Sequence, residues 1–288
     1  MTPLDQTFPF RRVGIVGLGL LGGSVARDLR RLPERPLVRA LSLDSRELEA
    51  ARLQGVVDEV AEDAASFCAG LDLAVYCTPL NATLELLTAH RPHLREGVVV
   101  TDVASLKTPL RDRTEALGLA EAFVGSHPMA GGEGSGFHAS RERLFEGARI
   151  WLVSEGARPE VATRIRTFWH MLGGQPSFID AGEHDVLMAR VSHLPQLTAT
   201  ALALVLESNG LGRHHLGPGG RDMTRLAGSG PIMWRDLLEH APTALPEALE
   251  ALENHLARLR AFLREGRADA VEDLMKQTRA WSRREPWS

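Results

Sequence analysis

Lysine is almost missing from this chain of 288 residues: Lys107 and Lys276 are the only two, and arginine carries the remaining positive charge. The 33 basic residues fall short of the 37 acidic ones. The net charge of -4 leaves no basic excess to neutralise phosphates, which argues against a nucleic-acid surface. Cysteine is scarce as well. Cys68 and Cys77 lie among apolar neighbours and are too few for a disulfide framework or a Cys/His metal site. No apolar run approaches the length of a membrane span, and the opening MTPLDQTFPFRR lacks the apolar core of a signal peptide, so a cytoplasmic location is expected. Neither internal repeats nor low-complexity segments occur. What remains is a chain with 44% apolar and 24% charged residues, the profile of a globular protein with a sizeable core and room for two domains.

Short apolar runs alternate with helical patterns through the first part. Val13 to Val16 predicts a strand that flows into Gly17-Leu18-Gly19-Leu20-Leu21-Gly22 and then a helix over Val25 to Leu32. A G-x-G-x-x-G turn in that setting suits a dinucleotide: Gly17 allows the tight turn, Gly19 lets backbone approach a pyrophosphate, and Gly22 permits close helix–strand packing. The helix N-terminus offers free N–H groups to the anion. Val38 to Leu43 predicts the second strand, ending at Asp44, about 20 residues beyond the glycines, where a carboxylate can accept from ribose hydroxyls. That acid favours NAD over NADP, although Ser45 and Arg46 could serve a 2′-phosphate, and Asp44 could simply cap a helix. Ser45 reads as the N-cap of the next helix, with Glu47 in its first turn.

Further strands are expected at Leu73–Cys77, ending in Thr78-Pro79, at Val98–Thr101, at Phe123-Val124, at Arg149–Val153 and at Pro176–Ile179. Helices are expected over Asn81–Ala89 and Val161–Leu172. Such alternation predicts a doubly wound, mostly parallel sheet of Rossmann type in residues 1–180. After Asp180 the strand pattern stops. A long apolar segment from His184 to Leu206 is broken by Pro195, a glycine-rich loop covers Gly210–Gly220, and Pro246–Arg264 and Arg267–Trp281 have helical spacing. Leu249, Leu252, Leu256, Leu259 and Phe262 share one face. Residues 181–288 are therefore expected to be all-helical and to form a homodimer interface.

Three predicted strand ends carry polar groups that belong at one edge of the sheet: Thr78-Pro79, Ser105 with Lys107, and His127 in the glycine-rich GSHPMAGGEGSG stretch (125–136). His127 could be a general base or could bond a loop carbonyl. Ser105 could contact substrate or cap the following helix, and Lys107 could sit near a substrate anion or a proton-transfer site, or be solvated. In the helical part, His193 could face substrate or be a core histidine. Arg225 could fork onto a substrate carboxylate or pair with Asp222 or Glu133. From the residues alone the expectation is an NAD-dependent dehydrogenase of a hydroxyl-bearing acid.

The segments GLGLLGGS (17–24), TDVASLK (101–107), GSHPMAGGEGSG (125–136), VSHLP (191–195) and GGRDMTRLAGSGPIMWRD (219–236) occur in an order that resembles the prephenate/arogenate dehydrogenase family of tyrosine biosynthesis. The resemblance spans most of the chain. It implies NAD-dependent oxidative decarboxylation of prephenate, or alternatively of arogenate. His127 would deprotonate the substrate hydroxyl, assisted by Ser105. His193 would place the substrate, Arg225 would hold a carboxylate, and Glu133 would pair with Arg225 as a gate. A C-terminal regulatory module, present in some members, is not expected after the last helix. A β-hydroxyacid dehydrogenase would be expected to use a lysine in its helical domain, and residues 181–275 have none. A non-enzymatic NAD-sensing module would have no need of His127, Ser105, His193 and Arg225 together.

Overall fold

The computed structural model describes residues 7–132 and 134–283. Eight strands form one sheet: β1 (Arg12–Val16), β2 (Leu37–Leu41), β3 (Glu59–Val60), β4 (Leu73–Tyr76), β5 (Val99–Asp102), β6 (Phe123–Pro128), β7 (Arg149–Val153) and β8 (Gln175–Phe178). Their spatial order is β3-β2-β1-β4-β5-β6-β7-β8, parallel throughout except where β6 meets β7. The order reverses between β1 and β4, the crevice where open α/β sheets take their ligands. The expected doubly wound sheet is what the chain forms.

Between the strands run α1 (Leu20–Arg30), α2 (Ser45–Leu53), α3 (Ala64–Cys68), α4 (Leu80–His90), α5 (Thr108–Ala116) and α6 (Pro159–Met171). The central strands bury both faces. Val13, Ile15, Leu73 and Val75 pack into one apolar cluster with α1 and α6, while Val16, Ala74, Tyr76 and Val100 pack into another beneath α4. Burial on both faces explains why these strands read as continuous apolar runs.

After β8 all regular structure is helical: α7 (Ala181–Met188), α8 (Leu194–Ser208), α9 (Pro218–Met223), α10 (Pro231–Glu239), α11 (Ala244–Arg264) and α12 (Ala268–Ser282). Between α7 and α8 the chain does not break at Pro195. It widens into a π-helical turn over Ala189–His193, and the proline then sits in the first turn of α8, where its missing N–H removes no hydrogen bond. The core here is small, built on Ala189, Ala244 and Leu245. α11 spans 21 residues and buries only Ala244 and Leu245. Among the described residues no helix is long and apolar enough to cross a membrane.

Three expectations are corrected. The helix after the glycines starts at Leu20 rather than Val25. The N-cap of α2 is Asp44, not Ser45: its carboxylate accepts from the N–H groups of Arg46 at 2.9 Å and Glu47 at 3.4 Å. Finally, the strand expected at Phe123-Val124 runs on to Pro128 and carries His127 within it. β6 continues past Val124, where its parallel pairing with β5 ends, and Gly125 to Pro128 pair antiparallel with β7, His127 opposite Trp151.

Candidate active site

The first turn is built to receive an anion. Gly17 has φ of 84°, and a Cβ there would lie 2.8 Å from the Thr78 methyl. A Cβ on Gly22 would lie 1.9 Å from the Gly17 carbonyl oxygen, so α1 can approach β1 only with glycine at that position. Gly19 is different. It is the N-cap of α1, makes no side-chain cap, and a Cβ there would meet nothing within 4 Å. The N–H groups beginning at Leu20 are thus left without a side-chain cap beside open space, a geometry that fits a pyrophosphate. Thr78 braces this turn from β4, and its hydroxyl bonds Thr83 at 2.8 Å. Pro79 is the N-cap residue of α4. Asp44, at the end of the β2 segment, is exposed; one of its oxygens caps α2, which leaves the second for a ribose hydroxyl.

Farther along the same edge lies a buried polar network. Asp102 ends β5 and accepts from Ala104 N at 2.7 Å and Ser126 N at 3.1 Å. Thr101 and Trp169 both bond the Ser126 hydroxyl, each at 2.8 Å. Lys107 is 1% exposed; its ammonium pairs with Asp102 and donates to the Ser126 carbonyl at 2.7 Å. Of the roles expected for Lys107, contact with a substrate anion and solvation are corrected: the ammonium is buried against Asp102 and the Ser126 carbonyl, and it reaches the proton-transfer site only through its field on His127.

Ser105 is half-buried in the bend between β5 and α5 and makes no hydrogen bond among the described residues. It does not cap α5. That role belongs to Asp185 of α7, whose carboxylate accepts from Lys107 N at 2.8 Å and Thr108 N at 2.9 Å.

His127 faces this network from β6. Its Nδ1 lies 2.9 Å from Nε2 of His184, and His184 Nδ1 lies 2.8 Å from an Asp185 carboxylate oxygen. The Nε2 of His127 makes no hydrogen bond among the described residues. Burial, reinforced by the Lys107 ammonium and by His184 and His193, holds His127 well below the ordinary histidine range, so the ring is neutral near pH 7 and able to accept a proton. Burial alone would raise Asp185, but the bonds from His184, Lys107 N and Thr108 N overturn it and leave the carboxyl below its usual range.

His193, at the end of the π-helical turn, is 1% exposed, and neither ring nitrogen has a partner. Its ring meets Trp234 edge-on at 5.8 Å, and burial pushes it down to about 4. Buried polar atoms are almost always satisfied, so this unpartnered imidazole, close enough to feel His184 and Asp185, leaves both ring nitrogens free to bond a polar ligand. Arg225 is not drawn into this group. It opens a 3-10 turn over Arg225–Gly228, is exposed, and forms no ion pair among the described residues, with Asp222 or otherwise. Glu133 lies outside the described residues. The structure thus brings His127, His193 and the buried Lys107 together and adds His184 and Asp185. The sequence reading missed this pair because it lies in a long apolar segment and gains meaning only from contacts made far away along the chain.

A dinucleotide cradle at a sheet's switch point and a neutral, half-buried histidine at the same edge define a nicotinamide-dependent oxidoreductase. Two family models match the chain: "Prephenate dehydrogenase, nucleotide-binding domain" over residues 25–177 and "Prephenate dehydrogenase, dimerization domain" over residues 180–277. Prephenate dehydrogenase of Lactococcus lactis is 30% identical over 277 residues, covering 93% of this chain and 75% of the relative. Cyclohexadienyl dehydrogenase of Zymomonas mobilis is 28% identical, covering 93% and 94%. The crystal structure of prephenate dehydrogenase from A. aeolicus in complex with hydroxyphenyl propionate and NAD+ is similar at a TM-score of 0.86 and 29% identity, covering 94% of this chain and 97% of that one. Synechocystis arogenate dehydrogenase is similar at a TM-score of 0.79 and 29% identity, covering 93% and 98%. The chain belongs to the prephenate dehydrogenase family.

Proposed function

We propose that this enzyme converts prephenate to 4-hydroxyphenylpyruvate by NAD-dependent oxidative decarboxylation, a step of tyrosine biosynthesis. The observation that carries the reading is His127, a half-buried neutral imidazole with a free Nε2 at the edge of a sheet whose first turn fits a pyrophosphate. Residues 1–180 hold the dinucleotide through Gly17, Gly19, Leu20, Gly22, Asp44, Thr78 and Pro79. Residues 181–288 supply the substrate side and the contact between two copies of the chain.

When bound, NAD+ supplies the acceptor for the hydrogen and electron pair that leave the carbinol carbon. His127 Nε2 takes the hydroxyl proton, assisted by Ser105, so that negative charge on oxygen drives oxidation. The ring carboxylate departs as CO2, and its bonding electrons complete the aromatic ring and pass to the oxidised carbon's oxygen, which takes back one proton to become the phenol hydroxyl. His193 places the substrate through its unpartnered nitrogens. Arg225, exposed at the start of its 3-10 turn, is the cation assigned to a substrate carboxylate. Aromatisation supplies the driving force, and positioning is the protein's main contribution.

Purified protein mixed with NAD+ and prephenate should produce reduced cofactor, and His127→Asn should retain NAD+ binding while turnover falls on the order of a hundredfold or more. Turnover with arogenate alone would reassign the substrate and keep the chemistry. Normal turnover by the His127→Asn protein would overturn the base assignment.

A further inference from the structure

Building on that reading, we propose that His184 and Asp185 are positioning residues that lock His127 in the Nδ1–H tautomer, leaving its Nε2 as the lone pair directed to substrate. Asp185 already accepts two backbone N–H bonds at the start of α5 and is held ionised, so it can only accept from His184. His184 Nδ1 must then carry the proton in the 2.8 Å contact. In a neutral His184 this leaves Nε2 as an acceptor, and the 2.9 Å contact with His127 Nδ1 requires the proton to sit on His127. A neutral imidazole carries one N–H. His127 Nε2 is therefore bare.

The arrangement has a second consequence. When His127 Nε2 gains the hydroxyl proton, the new imidazolium goes on donating through Nδ1 to His184, whose own Nδ1 is held by the Asp185 carboxylate. The charged and titratable groups around the two rings are Lys107 and Asp102 from the sheet side, Asp185 from α7, and His193 from the π-helical turn. Of these, Asp185 is the counter-charge in direct contact with the imidazole pair. Because Asp185 also caps α5, correct docking of α7 on the sheet and the correct tautomer of His127 depend on one carboxylate.

The test is 15N spectroscopy of histidine-labelled, substrate-free protein near pH 7, with the His127 signals assigned by their loss in His127→Asn. His127 should show a protonated Nδ1 and an unprotonated Nε2. In His184→Leu, which cannot accept, the ring should shift toward the Nε2–H form, and kcat should fall on the order of 10- to 100-fold with KM and NAD+ affinity little changed. His184→Gln can accept from His127 and donate to Asp185 through one amide, so it should restore the tautomer and most of the turnover. It also guards against a Leu variant that fails to fold. A wild-type His127 with the proton on Nε2, or a folded His184→Leu protein with unchanged tautomer and kcat, would overturn the proposal. Because the spectrum is recorded without substrate, it stands or falls independently of whether prephenate is the substrate.

Discussion

His193 is the residue whose environment makes the sharpest demand on the fold. An imidazole buried with both nitrogens unpartnered is held neutral, its pKa pushed from 6.5 down to about 4. Between those values the unfolded chain binds a proton that the folded chain refuses, so folding stability rises with pH across that window and is lost as pH falls from 6.5 toward 4. Above 6.5 the contribution is fully present. The shift corresponds to at most ~3.5 kcal/mol, since each unit is worth about 1.4 kcal/mol. Denaturant unfolding at a series of pH values should show a shallower acid-side slope for His193→Asn than for the parent. Superimposable slopes would mean that His193 finds a partner or water in solution. A ligand that bonds the orphaned nitrogens should stabilise the protein most where this histidine is neutral.

The elements around the glycine turn separate fold from binding. Adding a methyl at Gly22 would drive it into the Gly17 carbonyl at 1.9 Å, whereas at Gly19, whose φ is -63°, it would enter open space. Gly22→Ala should therefore cost a few kcal/mol of stability through forced separation of α1 and β1. Gly19→Ala should leave the unfolding midpoint within about 0.5 kcal/mol of the parent, yet weaken NAD+ on the order of tenfold or more, because the methyl would occupy the approach to the pyrophosphate. Thermal unfolding with and without NAD+ distinguishes the two; equal stability losses would show that Gly19 serves the fold. The contrast also shows what was legible in the sequence. Buried parallel strands are apolar on both faces, so β1, β4, β5 and β7 stand out, and the glycine spacing announces the turn that follows β1. Periodicity gives no handle on the two-residue β3 or the five-residue α3. Nor does it show that β6 runs on to Pro128, because that extension depends on antiparallel partners in β7. His184 and Asp185 were hidden for the same reason: their partners lie 57 and 78 residues away, at His127 and Lys107.

At the scale of the whole molecule, the two halves are stabilised differently. The sheet has two large apolar clusters, one on each face, while the helical part has a cluster built on three buried apolar residues, Ala189, Ala244 and Leu245. Its long helices leave apolar side chains in water: Leu256 is 55% exposed, Leu263 73%, Met275 66% and Trp281 69%. A helix of 21 residues that buries two cannot draw its stability from its own chain, since most helical stability comes from packing an apolar face. The family model matched to this region describes a dimerization domain, and a second copy is the occupant that a repeated apolar face suits best. Sedimentation at micromolar concentration should give a dimer. Leu256→Arg combined with Leu263→Arg, one face of α11 two turns apart, should yield a monomer whose helical part unfolds at lower denaturant than the sheet. The sheet core does not include these residues, so the monomer should still bind NAD+. A double variant that stayed dimeric with unchanged stability would place the interface elsewhere, and the exposed stripe on α11 would then need a different partner.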